Sequence, residues 1–165
     1  MTDPMEAEPA SRLGTLYLVP SPLDFGCATQ SPLEDSLPAG TITVAARLSH
    51  WICENAKSTR AFLKRVHEPV PLQQPLQTQH LQELPREVHK KGDHSGQFDA
   101  RPLLAAALQG HDIGLVSEAG MPPIADPGSS VVRAAHELGL QLVPLLGPVS
   151  LLMALAPSGL HGQTL

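Results

Sequence analysis

Short apolar runs recur along the chain, and each is bounded by glycine, proline or polar residues. Residues 15–20 (TLYLVP), 113–116 (IGLV) and 140–145 (LQLVPL) are runs of this kind, which are typical of strands buried inside a parallel sheet. Residues 41–45 (TITVA) alternate in polarity and carry β-branched side chains, so they predict a further strand. The pattern therefore predicts a sheet of short buried strands.

Between these runs the apolar positions recur every three or four residues, which is the period of a helix. The segments with this spacing are 49–66, 101–109, 126–138 and 149–156. The third is the clearest, because Asp126 is a good N-cap, Pro127 suits the first helical position and Gly139 is a good stop. Alternation of strands and helices predicts an α/β fold, a mostly parallel sheet flanked by helices.

Residues 68–99 show neither period and contain several prolines and glutamines and the polar run HKKGDHSG. A stretch of this length without periodicity predicts a mobile loop, which we place at 68–100. Residues 1–12 are expected to form a disordered tail. The remaining pattern fits one α/β domain over residues 13–158.

Composition narrows the class of protein. The 165 residues are 42% hydrophobic and 16% charged, which excludes disorder throughout. The net charge of -5 argues against a generic polyanion binder. Cys27 and Cys53 lack metal-ligand spacing, and the acidic start lacks a secretory pattern. Prolines and glycines interrupt the most apolar stretch, 143–160, so we expect a soluble cytoplasmic protein with no membrane span.

Candidate chemistry lies directly after the predicted strands, because ligands of open α/β sheets bind beyond the carboxyl ends of the strands. The junctions read PSPLD at 20–24, SEAGMPPIADPG at 117–128 and GPVS at 147–150. Each combines small residues, prolines and a few polar groups, which lets a ligand reach backbone N–H and C=O groups. Tight turns alone account for these residues about equally well.

The order and detail of the junctions resemble the tetrapyrrole methylase superfamily and, within it, the bacterial ribosomal RNA small-subunit methyltransferase I branch. That branch has S-D-A-G-x-P-x-I-S-D-P-G where residues 117–128 stand, and P-G-P-S-A where residues 146–150 read LGPVS. It has G-x-L-Y-x-V-x-T-P-I where residues 14–23 read GTLYLVPSPL, and E-D-T-R-x-T where the segment ENAKSTR begins at Glu54. The resemblance covers residues 14–162, less securely over 68–100.

The resemblance implies methyl transfer from S-adenosylmethionine, bound in a cleft between two α/β domains. The residues expected at the cofactor are Leu23, Ser117, Glu118, Ala119, Gly120, Met121, Ser150 and Leu151. Those expected at an RNA substrate are Glu54, Lys57 and Arg60. No residue is assigned as catalytic, and no metal is expected. The methyl acceptor stays open between a ribose 2′-hydroxyl of ribosomal RNA, a tetrapyrrole carbon and other groups.

Several positions depart from the branch pattern. Its E-D-T-R is Glu54-Asn55-Ala56-Lys57 here, its S-D-A-G has Glu118 for the aspartate, and its first Pro of P-G-P is Leu146. These changes affect acceptor specificity more than cofactor binding. Residues 159–165 correspond to the start of an interdomain linker, with the second domain absent. We therefore expect half a site, and weak or no cofactor binding by residues 1–165. For the complete protein we expect a homodimer.

Four alternatives remain open at this point. The histidines, which lack metal-ligand spacing, are expected at the surface or in loops rather than at a zinc site. One group of basic residues contacts RNA or forms a solvated face, namely Lys57, Arg60, Lys64 and Arg65 with Arg86, Lys90 and Lys91. Glu54 is a site carboxylate or an ion-pair partner of Lys57. The chain as a whole is a methyltransferase domain or a truncated, non-catalytic interaction module.

Overall fold

The computed structural model describes residues 12–22, 31–85, 99–116 and 128–147. Its sheet consists of β1 (Thr15–Val19), β2 (His50–Cys53), β3 (His80–Glu83), β4 (Ile113–Val116) and β5 (Gln141–Pro144). The spatial order is β3-β2-β4-β1-β5, and every pairing is parallel. The prediction of a parallel α/β fold is therefore confirmed.

Helices cover both faces of this sheet. They are α1 (Ala39–Arg47), α2 (Ala56–His67), α3 (Ala105–Leu108) and α4 (Gly128–Glu137), with 3-10 turns at Leu33–Asp35, Leu76–Thr78 and Arg101–Leu104. One core cluster joins Leu16 and Leu115 to Val131 of α4, and the other joins Val19 and Val116 to helices α1 and α2. Successive residues of a strand thus enter opposite clusters, as the pleat requires. Among the described residues, no helix has both the length and the apolar character needed to cross a membrane.

The segment 41–45, which predicts a strand, forms the middle of helix α1 instead. Thr41, Ile42, Ala45 and Ala46 are its buried residues, and their spacing is that of one helical face. The alternation of TITVA suggested a strand because Thr43 is polar and β-branched, yet Thr43 is exposed in the structure. Packing against the sheet has overridden the β propensity of this segment.

The segment 49–66 is not one helix, as its spacing predicts, but a strand followed by a helix. Trp51, Ile52 and Cys53 of β2 are fully buried, and helix α2 begins only after Asn55. Asn55 is the N-cap, since its side-chain oxygen accepts a hydrogen bond from the Ser58 amide at 2.9 Å. Strand β2 is only about as long as one helical turn, so the helical spacing of the apolar residues in this segment did not reveal it.

Strand β3 lies inside the stretch 68–99, where the sequence predicts only a loop. Its residues are half-buried or exposed, so hydrophobicity alone does not reveal it. Side-chain amides hold this edge of the sheet. Gln79 Oε1 accepts the indole N–H of Trp51 at 2.8 Å, and Gln82 Nε2 donates to the Leu103 carbonyl at 3.1 Å.

The other predicted elements are confirmed where the structure describes them. Strands occupy 15–19, 113–116 and 141–144, and a 3-10 turn followed by α3 fills most of 101–109. Helix α4 is followed by Gly139 at φ 75°, the left-handed conformation expected of a helix stop. Asp126, Pro127, the helix over 149–156 and almost all of the tail over 1–12 lie outside the described residues.

We expect Gly114→Ala to lower the free energy of unfolding by about 1–3 kcal/mol, measured by urea denaturation. Gly114 of β4 pairs with Trp51, and a Cβ there would lie 2.6 Å from Cζ3 of that indole and 3.0 Å from Leu48 Cδ1. Gly40→Ala is the matched control. Gly40 lies in α1 with nothing within 4 Å of an added Cβ, so the change should stabilise the helix by up to about 1 kcal/mol. Unchanged stability of Gly114→Ala would contradict the close packing of β4 on Trp51.

Gln79→Ala should destabilise the fold by about 1–3 kcal/mol, because the buried Trp51 N–H loses its acceptor. The tryptophan fluorescence of denaturant titrations reports the change, since Trp51 is the single tryptophan. Gln77→Ala, at an exposed position in the neighbouring 3-10 turn, should stay within about 0.5 kcal/mol of the wild type. Equal effects of the two substitutions would show that the hydrogen bond to Trp51 contributes nothing.

Candidate functional site

The carboxyl ends of four strands lie at one level of the sheet. Val116 of β4 pairs with Val19 of β1 on one side and with Cys53 of β2 on the other. Leu18 of β1 pairs with Pro144 of β5. The chain segments that follow these strands, beginning at residues 20, 54, 117 and 145, therefore all start at the same edge, which we term the carboxyl edge.

A small cavity opens at the carboxyl edge between β1, β4 and the start of α2. Its volume is about 30 Å³, space for about one water molecule and far less than a nucleoside needs. The lining residues are Ser21, Glu54, Asn55, Ser58, Thr59, Phe62 and Val116. Ser21 is only 5% exposed, and Glu54 is half-buried. Among the described residues, the lining thus carries one carboxylate and several hydroxyl groups but no cationic side chain.

The first turn of α2 is held by two side chains. Asn55 bonds the Ser58 amide, and Glu83 at the end of β3 accepts the Ala56 amide with Oε2 at 2.6 Å. A carboxylate is favourable here because the N-terminal amides of a helix carry partial positive charge. Glu83 was not singled out from the sequence, since its partner lies 27 residues away.

The structure separates the predicted substrate residues into two environments. Glu54 lies in the turn before Asn55 and lines the cavity. Lys57 and Arg60 are exposed on α2, three residues apart and therefore on neighbouring positions of its surface. Of the three, Glu54 is brought next to the strand ends, whereas the two cations face outward.

Cys53 lies at the end of β2, beside this cavity, and its thiol is fully buried and free. Burial raises the pKa of the Cys53 thiol. A buried thiol with a raised pKa holds little thiolate at neutral pH and is a poor nucleophile. Cys53 therefore belongs to the core and not to the chemistry of the edge.

The turn after β5 lies closely against the end of β1. The Leu145 amide donates to the Leu18 carbonyl at 3.0 Å, and the Thr41 hydroxyl donates to the Leu146 carbonyl at 2.6 Å. Gly147 is packed so tightly that an added Cβ would overlap the ring of Pro20 and approach Leu37. Thr41 was not identified from the sequence, because it was assigned to a strand.

The residues expected at the cofactor all lie outside the described part of the chain. They are Leu23, Ser117, Glu118, Ala119, Gly120, Met121, Ser150 and Leu151. The structure describes the residues directly before three of these segments or close to them, namely Pro22, Val116 and Gly147. Their assignment to the cofactor therefore stays a prediction.

The opposite edge, where the strands begin, is closed by polar side chains. Asp112 accepts the Thr15 amide at 2.9 Å and forms an ion pair of 3.0 Å with Arg47, which also donates to the Tyr17 hydroxyl at 3.1 Å. The hydrogen bond to Asp112 raises the pKa of Arg47. These contacts join α1 and the starts of β1 and β4.

Three imidazoles lie at the same edge. The rings of His80 and His111 each stack on His50, with centroids 4.7 Å apart. Burial, followed by the nearby His111 and His80, lowers the pKa of His50. Within the described ranges, no group of three or more His, Cys, Asp or Glu residues is arranged to hold a metal ion.

Comparison with known proteins gives a consistent set of relatives. No family model matches the chain. A ribosomal RNA small subunit methyltransferase I of Bacillus subtilis (strain 168) is 30% identical over 153 residues, which is 93% of this chain and 44% of the relative. The protein of that name in Leptospira biflexa is 30% identical over 147 residues, 88% of this chain and 51% of the relative. The protein of that name in Escherichia coli O157:H7 is 47% identical over 68 residues, 41% of this chain and 24% of the relative.

The chain thus spans about half the length of the curated relatives that it matches over most of its own residues. The similarity nevertheless extends over nearly all residues of this chain, and the sequence identity is higher over a shorter segment of 68 residues. Together with the parallel α/β sheet, it shows that this chain belongs to the family of the ribosomal RNA small subunit methyltransferases I.

Proposed function

We propose that this chain is the N-terminal α/β domain of a methyltransferase that uses S-adenosylmethionine to methylate small-subunit ribosomal RNA. One observation carries the proposal: the segment SEAGMPPIADPG follows directly on Val116, the carboxyl end of the central strand. Ligands of open α/β sheets bind at this edge. The names of the relatives support the reaction and the RNA substrate.

The described residues fit S-adenosylmethionine in their chemistry. The cofactor carries a positively charged sulfonium group, and the part of the cavity lining that the structure describes contains the carboxylate of Glu54 and no cation. The cavity is too small for the whole cofactor, so binding would take place over the edge, where Ser117, Glu118, Ala119, Gly120, Met121, Leu23, Ser150 and Leu151 are the proposed contacts. When bound, the cofactor supplies an electrophilic methyl group. The protein contributes orientation and exclusion of water.

The proposed acceptor is a ribose 2′-hydroxyl of the RNA. Lys57 and Arg60 are exposed on α2 and would contact phosphates, because Lys and Arg supply most of the affinity for nucleic acids. Glu54 lies between these cations and the strand ends, where it would face the acceptor side of the cleft. The proposal includes a cytoplasmic location and a homodimer for the whole protein, as the family resemblance implies.

Deletion of the gene tests the activity of the whole protein. We expect one nucleotide of small-subunit ribosomal RNA to lose a single methyl group, detected by mass spectrometry of RNA fragments. Reintroduction of the full gene should restore the methyl group, while a copy carrying Glu118→Ala should restore it incompletely because cofactor binding is impaired. Identical RNA from the deletion strain and its parent would refute the proposed function.

Titration of the isotopically labelled chain with S-adenosylmethionine tests the location of the cofactor. We expect NMR shifts at the amides of Ser21, Val116 and Gly147 and none at His50 or His111 on the opposite edge. The affinity should be weaker than micromolar, since the chain covers about half the length of the relatives from Leptospira biflexa and Bacillus subtilis. Shifts confined to the histidine edge would contradict the assignment of the site.

A further inference from the structure

A second cavity, which we term the histidine cavity, lies at the edge where the strands begin. Its volume is about 280 Å³, which is space for several water molecules or for a group of the size of phosphate. The lining residues are Arg47, Leu48, Ser49, His50, Gln73, Gly110, His111 and Asp112. Most of them carry polar side chains, and they come from separate segments of the chain. The histidine cavity therefore suits a polar ligand.

The fixed charges in the histidine cavity cancel. Arg47 and Asp112 form an ion pair of 3.0 Å, and both carboxylate oxygens of Asp112 accept hydrogen bonds. Among the described residues, the other titratable side chains of the lining are His50 and His111. His80 stacks on His50 without lining the cavity. The net charge of the cavity is therefore set by the number of protons that the three imidazoles carry.

The fold uses few of the hydrogen-bonding groups in this cavity. His50 Nδ1 lies 3.1 Å from the Ser49 hydroxyl, and the other ring nitrogens of the three histidines have no hydrogen-bond partner among the described residues. Within the same part of the chain, the side-chain amide of Gln73 has none either. An amide donates through its N–H groups, and a protonated imidazole donates from both nitrogens. These groups are available to a ligand that accepts hydrogen bonds.

The stacking of the rings opposes their protonation. His80 and His111 lie with their ring centroids 4.7 Å from that of His50, at angles of 18° and 26° to its plane. Burial lowers the pKa of His50, and the like charges of His111 and His80 lower it further. Negative charge brought into the cavity by a ligand would offset this repulsion. Binding of an anion and uptake of protons are therefore coupled here.

The same geometry disfavours a metal ion. An imidazole nitrogen binds a metal in the plane of its ring, and nearly parallel stacked rings do not direct their nitrogens to one point. The carboxylate of Asp112 is already occupied by its two donors. The arrangement favours an anion that accepts several hydrogen bonds.

We propose that the histidine cavity binds a phosphate group through the side chains of His50, His111 and Gln73, with uptake of a proton by the stacked imidazoles. A phosphate group has three or more acceptor oxygens and carries up to two negative charges, so it can satisfy several donors and compensate an imidazolium. Its source is free phosphate or a nucleotide. The inference uses only residues at the amino edge and does not depend on the cofactor assignment at the carboxyl edge.

Titration of the isotopically labelled chain with inorganic sulfate tests the coupling to protons. The charge of sulfate is constant between about pH 8 and about pH 5.5, so a change in its affinity reports protonation of the protein. From the shifts of the His50 and His111 imidazoles, we expect the affinity to rise about tenfold on acidification, as when anion binding raises one imidazole pKa by about one unit.

Three nonionic ligand comparisons are not needed to identify the source, because two phosphates and one nucleoside suffice. Inorganic phosphate and adenosine 5′-monophosphate should both bind, and adenosine should not. Tighter binding of the nucleotide than of phosphate would support a nucleotide as the source, whereas equal affinity would support free phosphate. Adenosine bound as tightly as its monophosphate would overturn the proposal, since phosphate would not be the group recognised.

Histidine substitutions separate the parts of the site. His111→Gln keeps a donor but removes the positive charge, so sulfate should bind about tenfold more weakly under acidic conditions. His80→Gln removes a like charge beside His50 but no lining residue, so binding should appear at higher pH. His136→Gln, on α4, is the matched control and should behave as the wild type. The three substituted positions are exposed, so the core stays intact.

Three further outcomes would overturn the inference. Equal sulfate affinity at the two pH values would remove the coupling to protons. Shifts at Lys57 and Arg60 without shifts at His50 or His111 would show that anions bind only to the exposed cations of α2. Equal weakening by His111→Gln and His136→Gln would show that the loss of any imidazole has the same effect. None of these results bears on methyl transfer, whose tests use other ligands and other residues.

Discussion

The parallel pairing of β4 with a neighbour on each side is the constraint on which the rest of the structure depends. Every residue of β4 is buried, and the Trp51 ring occupies the space that a side chain at Gly114 would need. The register with Val19 and Cys53 sets the level at which three strands end. Because both helical layers pack on these strands, a shift of β4 by one residue would exchange the two faces of the core.

The sequence predicted the elements whose burial shows in the hydrophobic pattern. β1, β4 and β5 are apolar runs, and helix α4 ends at a glycine in the left-handed conformation. The edge strand β3 was missed because its own residues are only half-buried or exposed, and side-chain hydrogen bonds of Gln79 and Gln82, which leave no hydrophobic pattern, help to join it to the fold. The segment 41–45 was wrongly predicted because a buried helical face with threonines can imitate the alternation of a strand.

The candidate site was predictable only in part. The rule that ligands bind beyond strand ends pointed to the carboxyl edge, where the site stays a prediction, and the motif spacing pointed to the family that the comparisons show. Glu83 and Thr41 could not be singled out in the same way. Their roles depend on partners that the fold brings together from distant segments, such as Leu146 for Thr41 and Ala56 for Glu83. No local pattern records such pairs.

The two ends of the sheet differ in their side-chain contacts and in where the sequence departs from the family pattern. At the amino end, Asp112, Arg47 and Tyr17 join segments from α1, β1 and β4 through side-chain bonds. The departures from the family pattern at 54–57 and at Leu146 lie at the other end. Sequence change at the carboxyl edge can therefore accumulate without removing these contacts, so the residues at that edge can diverge while the folding requirements at the other edge stay the same.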